Sequence, residues 1–81
     1  MQITVLFLGP ARDFSGMESS ILDLPECSTA GQLKVKLVER FPKLGKTLPS
    51  IRMAVNCTFA ADDRVLRGGD EVALIPPVSG G

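Results

Sequence analysis

The start of the chain alternates in side-chain character with a period of two, which is typical of a β-strand. One face of the stretch QITVLFL carries Ile3, Val5 and Phe7. The opposite face carries Gln2, Thr4, Leu6 and Leu8. The segment GPARDFSG at 9–16 interrupts the pattern with glycine and proline, and a second, weaker strand is predicted at about 19–24. We expect a hairpin to join the two strands.

The segment STAGQLKVKLVERFP has the apolar spacing of an amphipathic helix. Thr29 is the expected N-cap, and Gln32, three residues later, completes a capping box. Pro42 disfavours helical geometry at the residue before it and ends the helix there. The apolar stripe that faces the core is predicted to consist of Ala30, Leu33, Leu37, Val38 and Phe41.

Three further strands are predicted in the second half of the chain. The segment 43–50 is expected to be a loop with a short helical turn, and IRMAVN at 51–56 a third strand. A turn near Cys57 leads to a short strand or irregular edge around Phe59. EVALIPP at 71–77 is the last strand, and Pro76 and Pro77 end it because proline cannot donate to the sheet. The order β-β-α-β-β-β predicts an α+β domain with a mixed sheet of four to five strands and one main helix on one face.

A single helix covers one face of such a sheet, so some apolar residues are left on the other. The first and last strands are both apolar on their second face. Leu8, Ile75 and Phe59 are therefore predicted to form an exposed apolar patch, and such patches usually mark partner surfaces. The alternative is a two-sided core that the loop at 42–50 closes.

Composition and charge narrow the classes of function. The 81 residues are enough for one domain, and nine basic residues balance nine acidic ones. With a pI of about 6.1 and neither Trp nor Tyr, the chain lacks the basic and aromatic surface of a nucleic-acid binder. The apolar runs are far shorter than the roughly 20 residues of a membrane span, and MQITVLFLGP lacks signal-peptide features. We therefore expect a cytoplasmic protein that contacts neither nucleic acid nor membrane.

Residues that commonly carry catalysis are scarce. His is absent, which excludes Ser–His and Cys–His pairs and the commonest general base at neutral pH. Cys27 and Cys57 are interpreted as reduced structural thiols, with a single disulfide between them left open. The acidic pairs at 62–63 and 70–71 are interpreted as solvated turns. The sequence thus predicts neither an internal active site nor a metal site.

The last residues, ALIPPVSGG, run through two prolines to two glycines. Two C-terminal glycines are also typical of a frayed chain terminus without a function. With the predicted strand order, however, GDEVALIPPVSGG at 69–81 resembles the β-grasp (ubiquitin-like) sulfur carriers, and among them the family of molybdopterin synthase small subunits. VLFLGPARD and MAVN at 53–56 extend the resemblance over the whole chain, whereas Cys57 and Gly31 depart from the family pattern.

The resemblance implies chemistry at the carboxylate of Gly81. An E1-like partner would adenylate it with ATP, and sulfur from a persulfide would convert it to a thiocarboxylate. The tail at 76–81 would enter the large subunit of molybdopterin synthase and give its sulfur to cyclic pyranopterin monophosphate. The chain would bind no cofactor and would be no catalyst alone, but the sulfur-donating subunit of a heterotetrameric transferase.

The resemblance also implies roles for single residues. Gly80 and Gly81 would thread a narrow channel, because they have no Cβ. Pro76 and Pro77 would stiffen the base of the tail and reduce the entropy lost on insertion. Arg12 is a weaker candidate for a polar contact, since a solvated loop charge explains it as well. The remaining expected partner contacts are Leu8, Phe59, Ile75, Val78 and Ser79.

Three other functions stay open. The same carrier chemistry fits another acceptor, in tRNA thiolation or thiamine synthesis. A non-catalytic ubiquitin-like binding module would carry an inert tail. A protein modifier would join Gly81 to lysines of other proteins.

Overall fold

The computed structural model describes residues 1–77, so Val78, Ser79, Gly80 and Gly81 of the predicted tail lie outside the described residues. The strands are β1 (Gln2–Phe7), β2 (Ser19–Asp23), β3 (Arg52–Val55), β4 (Thr58–Ala60) and β5 (Glu71–Ile75). The helices are α1 (Pro10–Ser15) and α2 (Ala30–Arg40), followed by 3-10 helices at Pro42–Lys46 and Leu48–Ser50. None of these helices is long and apolar enough to cross a bilayer.

Within residues 1–77 the strands form one sheet in the order β2-β1-β5-β3-β4. β5 runs parallel to β1 and antiparallel to β3, which makes the sheet mixed, as predicted. Leu74 of β5 has Phe7 on one side and Met53 on the other as its cross-strand neighbours. The strand that leads to the tail is therefore the central one, held by backbone hydrogen bonds along both edges.

Helix α2 begins with the predicted capping box. The backbone N–H of Gln32 donates to Oγ1 of Thr29 over 3.2 Å, and the N–H of Thr29 donates to Oε1 of Gln32 over 2.8 Å. The helix ends at Arg40, and the N–H of Phe41 still donates to the carbonyl oxygen of Leu37 over 2.7 Å. Both ends of α2 thus agree with the sequence prediction.

The core lies between α2 and one face of the sheet. Alternation places Ile3, Val5 and Phe7 of β1 on this face, and the Phe7 ring meets the Phe41 ring edge-on with centroids 5.4 Å apart. Leu44 of the first 3-10 helix is fully buried in the same cluster. The segment 42–50 therefore completes this single core and does not close a second one, so the two-sided alternative is wrong for the described residues.

The connection between β1 and β2 differs from the expected simple hairpin, because α1 is inserted there. Its N-terminus has Pro10, whose fixed φ suits the first helical position, and its C-cap is Gly16 in the left-handed region at φ 75°. Ala11 is fully buried and ties the helix to the core. The glycine and proline that indicated a broken strand are in fact the start and stop signals of a short helix.

The turn between β3 and β4 agrees with the prediction of a turn near Cys57. Asn56 and Cys57 both have positive φ, at 49° and 71°, as a two-residue hairpin loop requires. Asn tolerates this region, whereas Cys does so less readily. The strained geometry brings the Asn56 side chain to the start of β5, where its Oδ1 accepts a hydrogen bond from the N–H of Glu71 over 3.0 Å.

Asp70 holds the turn from which β5 begins. Its Oδ2 accepts the N–H of Arg67 over 2.8 Å, and its Oδ1 accepts Nδ2 of Asn56 over 2.9 Å. The backbone hydrogen bond from Arg67 lowers the pKa of Asp70 below its ordinary 3.8, against the opposing effect of desolvation. The Asn56 amide and the charges of Arg64 and Arg67 lower this pKa further.

We expect Asp70→Asn to weaken the fold at neutral pH and to flatten its acid dependence. The folded pKa of Asp70 is depressed, so its contribution is present above the unfolded value of 3.8 and is lost as the pH falls through the folded pKa. The measurement is the free energy of urea unfolding at neutral pH and at about pH 3. Asp63→Asn, at an exposed turn residue, is the matched control; equal acid dependence of the two variants would contradict this account.

Candidate functional site

The base of the predicted tail lies at one edge of the sheet. Because β1 and β5 are parallel, their carboxyl ends meet at this edge, where Leu8 follows β1 and Pro76 follows β5. Pro76 is half-buried and Pro77 is exposed. β5 ends at Ile75, directly before the two prolines that were predicted to end it. The described part of the site is the platform from which the tail departs.

Gly9 and Pro76 are packed directly against each other at this platform. A Cβ placed on Gly9 would lie 3.0 Å from Cγ and 3.3 Å from Cβ of Pro76. Gly9 also has φ 57° and ψ −133°, a conformation that residues with a side chain rarely adopt. The missing side chain therefore lets the proline ring sit on the backbone of the β1–α1 connection. Sequence reasoning missed this contact, because Gly9 was interpreted only as a strand breaker.

We expect Gly9→Ala to displace Pro76 and to cost about 1–3 kcal/mol in strain. Because the displaced ring begins the tail, partner-dependent reactions of the tail should slow by more than the stability loss alone explains. The matched control is Gly16→Ala: Gly16 has φ 75°, and a Cβ there would meet nothing within 4 Å. Thermal unfolding and the rate of tail modification, measured on both variants, test this. Equal rates in the two variants would contradict a role of Gly9 in aiming the tail.

The sheet face opposite α2 is apolar near the tail. We call it the open face; its apolar residues are Leu6, Leu8, Ile21, Ala54, Phe59, Ala73 and Ile75. The exposed fractions are 43% for Leu8 and 56% for Phe59, and Ile75 is half-buried. The predicted patch is thus on the surface of the described chain. Its role as a partner contact stays a prediction.

The register brings two of the three predicted patch residues together. Leu8 and Ile75 extend neighbouring parallel strands, one position beyond the paired Phe7 and Leu74. Phe59 lies on β4, separated from β5 by β3, and is paired with Ala54. The open face therefore extends sideways from the tail base across the strands to Phe59.

Arg52 is a feature of this face that sequence reasoning did not identify. It is the cross-strand neighbour of Ile75, and its guanidinium carbon lies 4.1 Å from the centroid of the Phe59 ring. The sequence could have identified Arg52, because alternation within IRMAVN places Arg52 and Ala54 on one face of the strand and Met53 on the other. The open face thus has one stacked cation beside the tail base.

The remaining candidate residues lie outside this arrangement. Arg12 forms an exposed ion pair with Glu18 at 2.7 Å, which agrees with a solvated loop charge of small energetic value. Cys27 and Cys57 are free, which agrees with the interpretation as reduced thiols, and exposed, so neither belongs to the core. Asp62 pairs with Lys34 at 2.7 Å, as expected of a surface turn. Within residues 1–77 there is no group of three potential metal ligands.

A groove of about 500 Å³ lies on the helical side of the described chain. It is lined by Lys34, Val35, Val38, Glu39, Gly45, Leu48, Pro49 and Asp62. The lining is mainly apolar and includes no residue of the tail base. Of its three charged residues, Lys34 and Asp62 pair with each other, which leaves Glu39 alone. The groove therefore offers no convergent set of reactive groups.

A family model described as the ThiS family matches residues 5–81. The chain belongs to the ThiS family. The match begins inside β1 and extends through β5 and the predicted tail to Gly81. The family thus agrees with the resemblance drawn from the tail sequence.

Among curated relatives, the chain is similar to the molybdopterin synthase sulfur carrier subunit of Arabidopsis thaliana. The two are 33% identical over 81 residues, which is 100% of this chain and 84% of that protein. The similarity is therefore not confined to the tail, and includes the sheet and the helix.

Among solved structures, SAMP1 of Haloferax volcanii superposes with a TM-score of 0.89 at 26% identity, covering 100% of both chains. A subunit from the complex of subunits 1 and 2 of the molybdopterin-converting factor of Helicobacter pylori 26695 superposes with a TM-score of 0.74 at 27% identity, again over 100% of both chains. The predicted β-grasp (ubiquitin-like) fold is confirmed for this ThiS-family chain.

Proposed function

We propose that this chain is the sulfur carrier, and thus the small subunit, of a molybdopterin synthase. The observation that carries the proposal is that the ThiS-family match runs to Gly81, through the segment that follows the central strand. The full-length similarity to a relative with this name supports the same acceptor pathway. The proposal takes Gly81 as the C-terminal residue, with its carboxylate as the group that reacts.

The proposed chemistry starts with activation of that carboxylate. A C-terminal carboxylate has a pKa of about 3.5 and is ionised at neutral pH, which makes it a poor electrophile. Its oxygen attacks the α-phosphate of ATP on an E1-like enzyme, and pyrophosphate leaves. A persulfide then displaces AMP to give an acyl disulfide, and a second thiol of the donor reduces that disulfide. The products are a thiocarboxylate on Gly81 and a disulfide on the donor.

Transfer returns the tail to its starting state. The thiocarboxylate sulfur attacks a carbon of cyclic pyranopterin monophosphate on the large subunit and displaces an oxygen from it. Water then cleaves the thioester so formed, which leaves the sulfur on the substrate and releases Gly81 as a carboxylate. Two such transfers build the dithiolene, so two loaded chains are consumed for each product. This chain contributes no cofactor of its own, and the activating partner uses the ATP.

The described residues fit the task of presenting a tail. The central position of β5 and the packing of Pro76 on Gly9 fix where the tail leaves the sheet. Pro77 then fixes its own φ and restricts Pro76 before it, which lowers the entropy lost when the tail enters a channel. Gly80 and Gly81 allow close approach of the partner, while Val78 and Ser79 line the mouth of that channel. The catalytic groups belong to the partners.

The proposed partners dock on the open face. Leu8, Ile75 and Phe59 provide the exposed apolar area that such a contact needs. The structural likeness to a subunit of a two-protein complex supports docking on the large subunit, with the E1-like enzyme using the same face in turn. We place the assembly in the cytoplasm, as a dimer of large subunits with one small subunit at each end and without nucleic acid or membrane contact.

A second candidate function is protein modification, in which Gly81 is joined to lysines of other proteins. The likeness to SAMP1, a small archaeal modifier protein, favours keeping it. Both candidates begin with adenylation of Gly81 and differ in the final acceptor. Another small-molecule or tRNA thiolation pathway differs from the main proposal in the same way.

Reconstitution separates these acceptors. The chain is incubated with the E1-like enzyme, ATP and a persulfide donor, and then with the large subunit and cyclic pyranopterin monophosphate. We expect a dithiolene product at one molecule per two loaded chains, and none when the large subunit is omitted. Loaded chain without product would redirect the proposal to another sulfur acceptor, and isopeptide-linked species in cell extract would favour the modifier.

A further inference from the structure

Arg52 is preorganised on the open face, and its donors have no acceptor among residues 1–77. The guanidinium carbon lies over the Phe59 ring, 4.1 Å from its centroid, and this cation–π contact uses none of the N–H donors in a hydrogen bond. Within residues 1–77 no carboxylate lies within ion-pair distance of Arg52, and no hydrogen bond to its side chain is formed. The side chain is exposed, so water satisfies these donors in the free protein.

Docking removes this water. Arg52 is the cross-strand neighbour of Ile75 and borders Phe59, so a partner that covers these two residues also covers the guanidinium. A covered cation without an acceptor carries a large desolvation penalty, so docking of a purely apolar partner surface would be unfavourable. A carboxylate matches the fork of guanidinium donors and offsets that penalty through two parallel hydrogen bonds.

The other charges of the open face lie at its far end. Glu71 is the cross-strand neighbour of Thr4, and Asp23 is that of Gln2, near the start of β1 and away from the tail base. Asp23 is also ion-paired with the Met1 ammonium at 3.3 Å. Arg52 is instead at the tail edge, beside Ile75. Among the described residues, the face thus has an unpaired cation next to the tail, and a partner acid placed to meet it favours a single orientation of docking.

We infer that Arg52 determines partner specificity, by pairing with an Asp or Glu that the large subunit places within its apolar contact surface, beside the mouth that receives the tail. This inference rests on the proposed function, because it names the chemistry of the surface that covers the open face. The pair holds the tail base in register with the channel. The acidic side chain lies about one strand spacing, near 5 Å, from the path of the tail.

The test is the binding kinetics of the unloaded full chain with the purified large subunit from the same organism, without ATP. We expect Arg52→Met to raise the dissociation rate about 30-fold or more, with little change in the association rate, because a buried charge is left unpaired. Arg52→Glu should dissociate faster still, since two carboxylates then face each other. Arg52→Lys should lie between the wild type and Arg52→Met.

Lys36→Met, which removes an exposed cation from α2, is the matched control and should bind like the wild type. Melting temperatures of all variants check that the fold is intact. Unchanged or tighter binding of Arg52→Met would overturn the inference and would leave the proposed function standing. An effect confined to the association rate and abolished by salt would also overturn it, since Arg52 would then stay solvated at the rim. Failure of the wild-type chain to bind the large subunit would instead overturn the proposed function itself.

Discussion

Deletion of Gly81 is expected to abolish sulfur loading and to leave the fold intact. The truncated chain still ends in a carboxylate, but that group lies one residue short, which is about 3.5 Å of extended chain. Displacement of a reacting atom by even about 1 Å can cost a factor of about 100 in rate. We therefore expect loading to fall about 1,000-fold or more. Among residues 1–77 the buried core runs from Ile3 to Leu74, so unfolding should be unchanged.

Loading is measured as the yield of thiocarboxylate with the E1-like enzyme, ATP and a persulfide donor. Ser79→Ala is the control, because it changes the tail without changing its length, and it should load within a few-fold of the wild type. Extension by one glycine should fail as deletion does, since the carboxylate is again misplaced. Efficient loading of the truncated chain would place the reactive group elsewhere and contradict the proposal.

Phe7→Ala and Leu8→Ala are expected to affect different properties, although the two residues are adjacent: the first lowers stability, and the second weakens partner binding. Phe7 is 1% exposed and packs edge-on against Phe41, so truncation should cost about 3–5 kcal/mol. That loss is a large part of the free energy of unfolding of a typical domain, which is roughly 5–15 kcal/mol. Leu8 is 43% exposed on the open face, and Leu8→Ala should change stability by less than about 1 kcal/mol.

The affinity for the large subunit should be reduced in Leu8→Ala, although its stability is nearly unchanged. Leu8→Ala removes apolar contact area beside the tail base, and we expect it to weaken binding about 10-fold or more. Urea unfolding and titration with the large subunit, both carried out on each variant, separate the two effects. A large stability loss in Leu8→Ala, or wild-type binding by it, would contradict the assignment of the open face as the docking surface.

The elements that the sequence predicted well are those in which local pattern and tertiary packing agree. Period-two alternation in β1 assigned Ile3 to the core face and Leu8 to the open face. The capping box at Thr29 and Pro42 bounded α2 to within a residue. The tail sequence led to the family because its order of strand, prolines and glycines is unusual, and the family model covers it.

The features that the sequence did not predict depend on contacts between distant segments. Gly9 needs a bare backbone because Pro76, far along the chain, packs on it, and no local pattern encodes that approach. Helix α1 was hidden because proline and glycine mark strand breaks and helix ends alike. Arg52 acquires its place beside Ile75 and Phe59 only through the antiparallel register of β3.

The most direct test of the account is the intact mass of the full chain after incubation with ATP, an active E1-like enzyme and a persulfide donor. The account predicts a gain equal to the replacement of one oxygen by sulfur, confined to the peptide that contains Gly80 and Gly81. An unchanged mass under conditions in which the enzyme activates a known carrier would contradict it. The chain would then be a ubiquitin-like binding module with an inert tail.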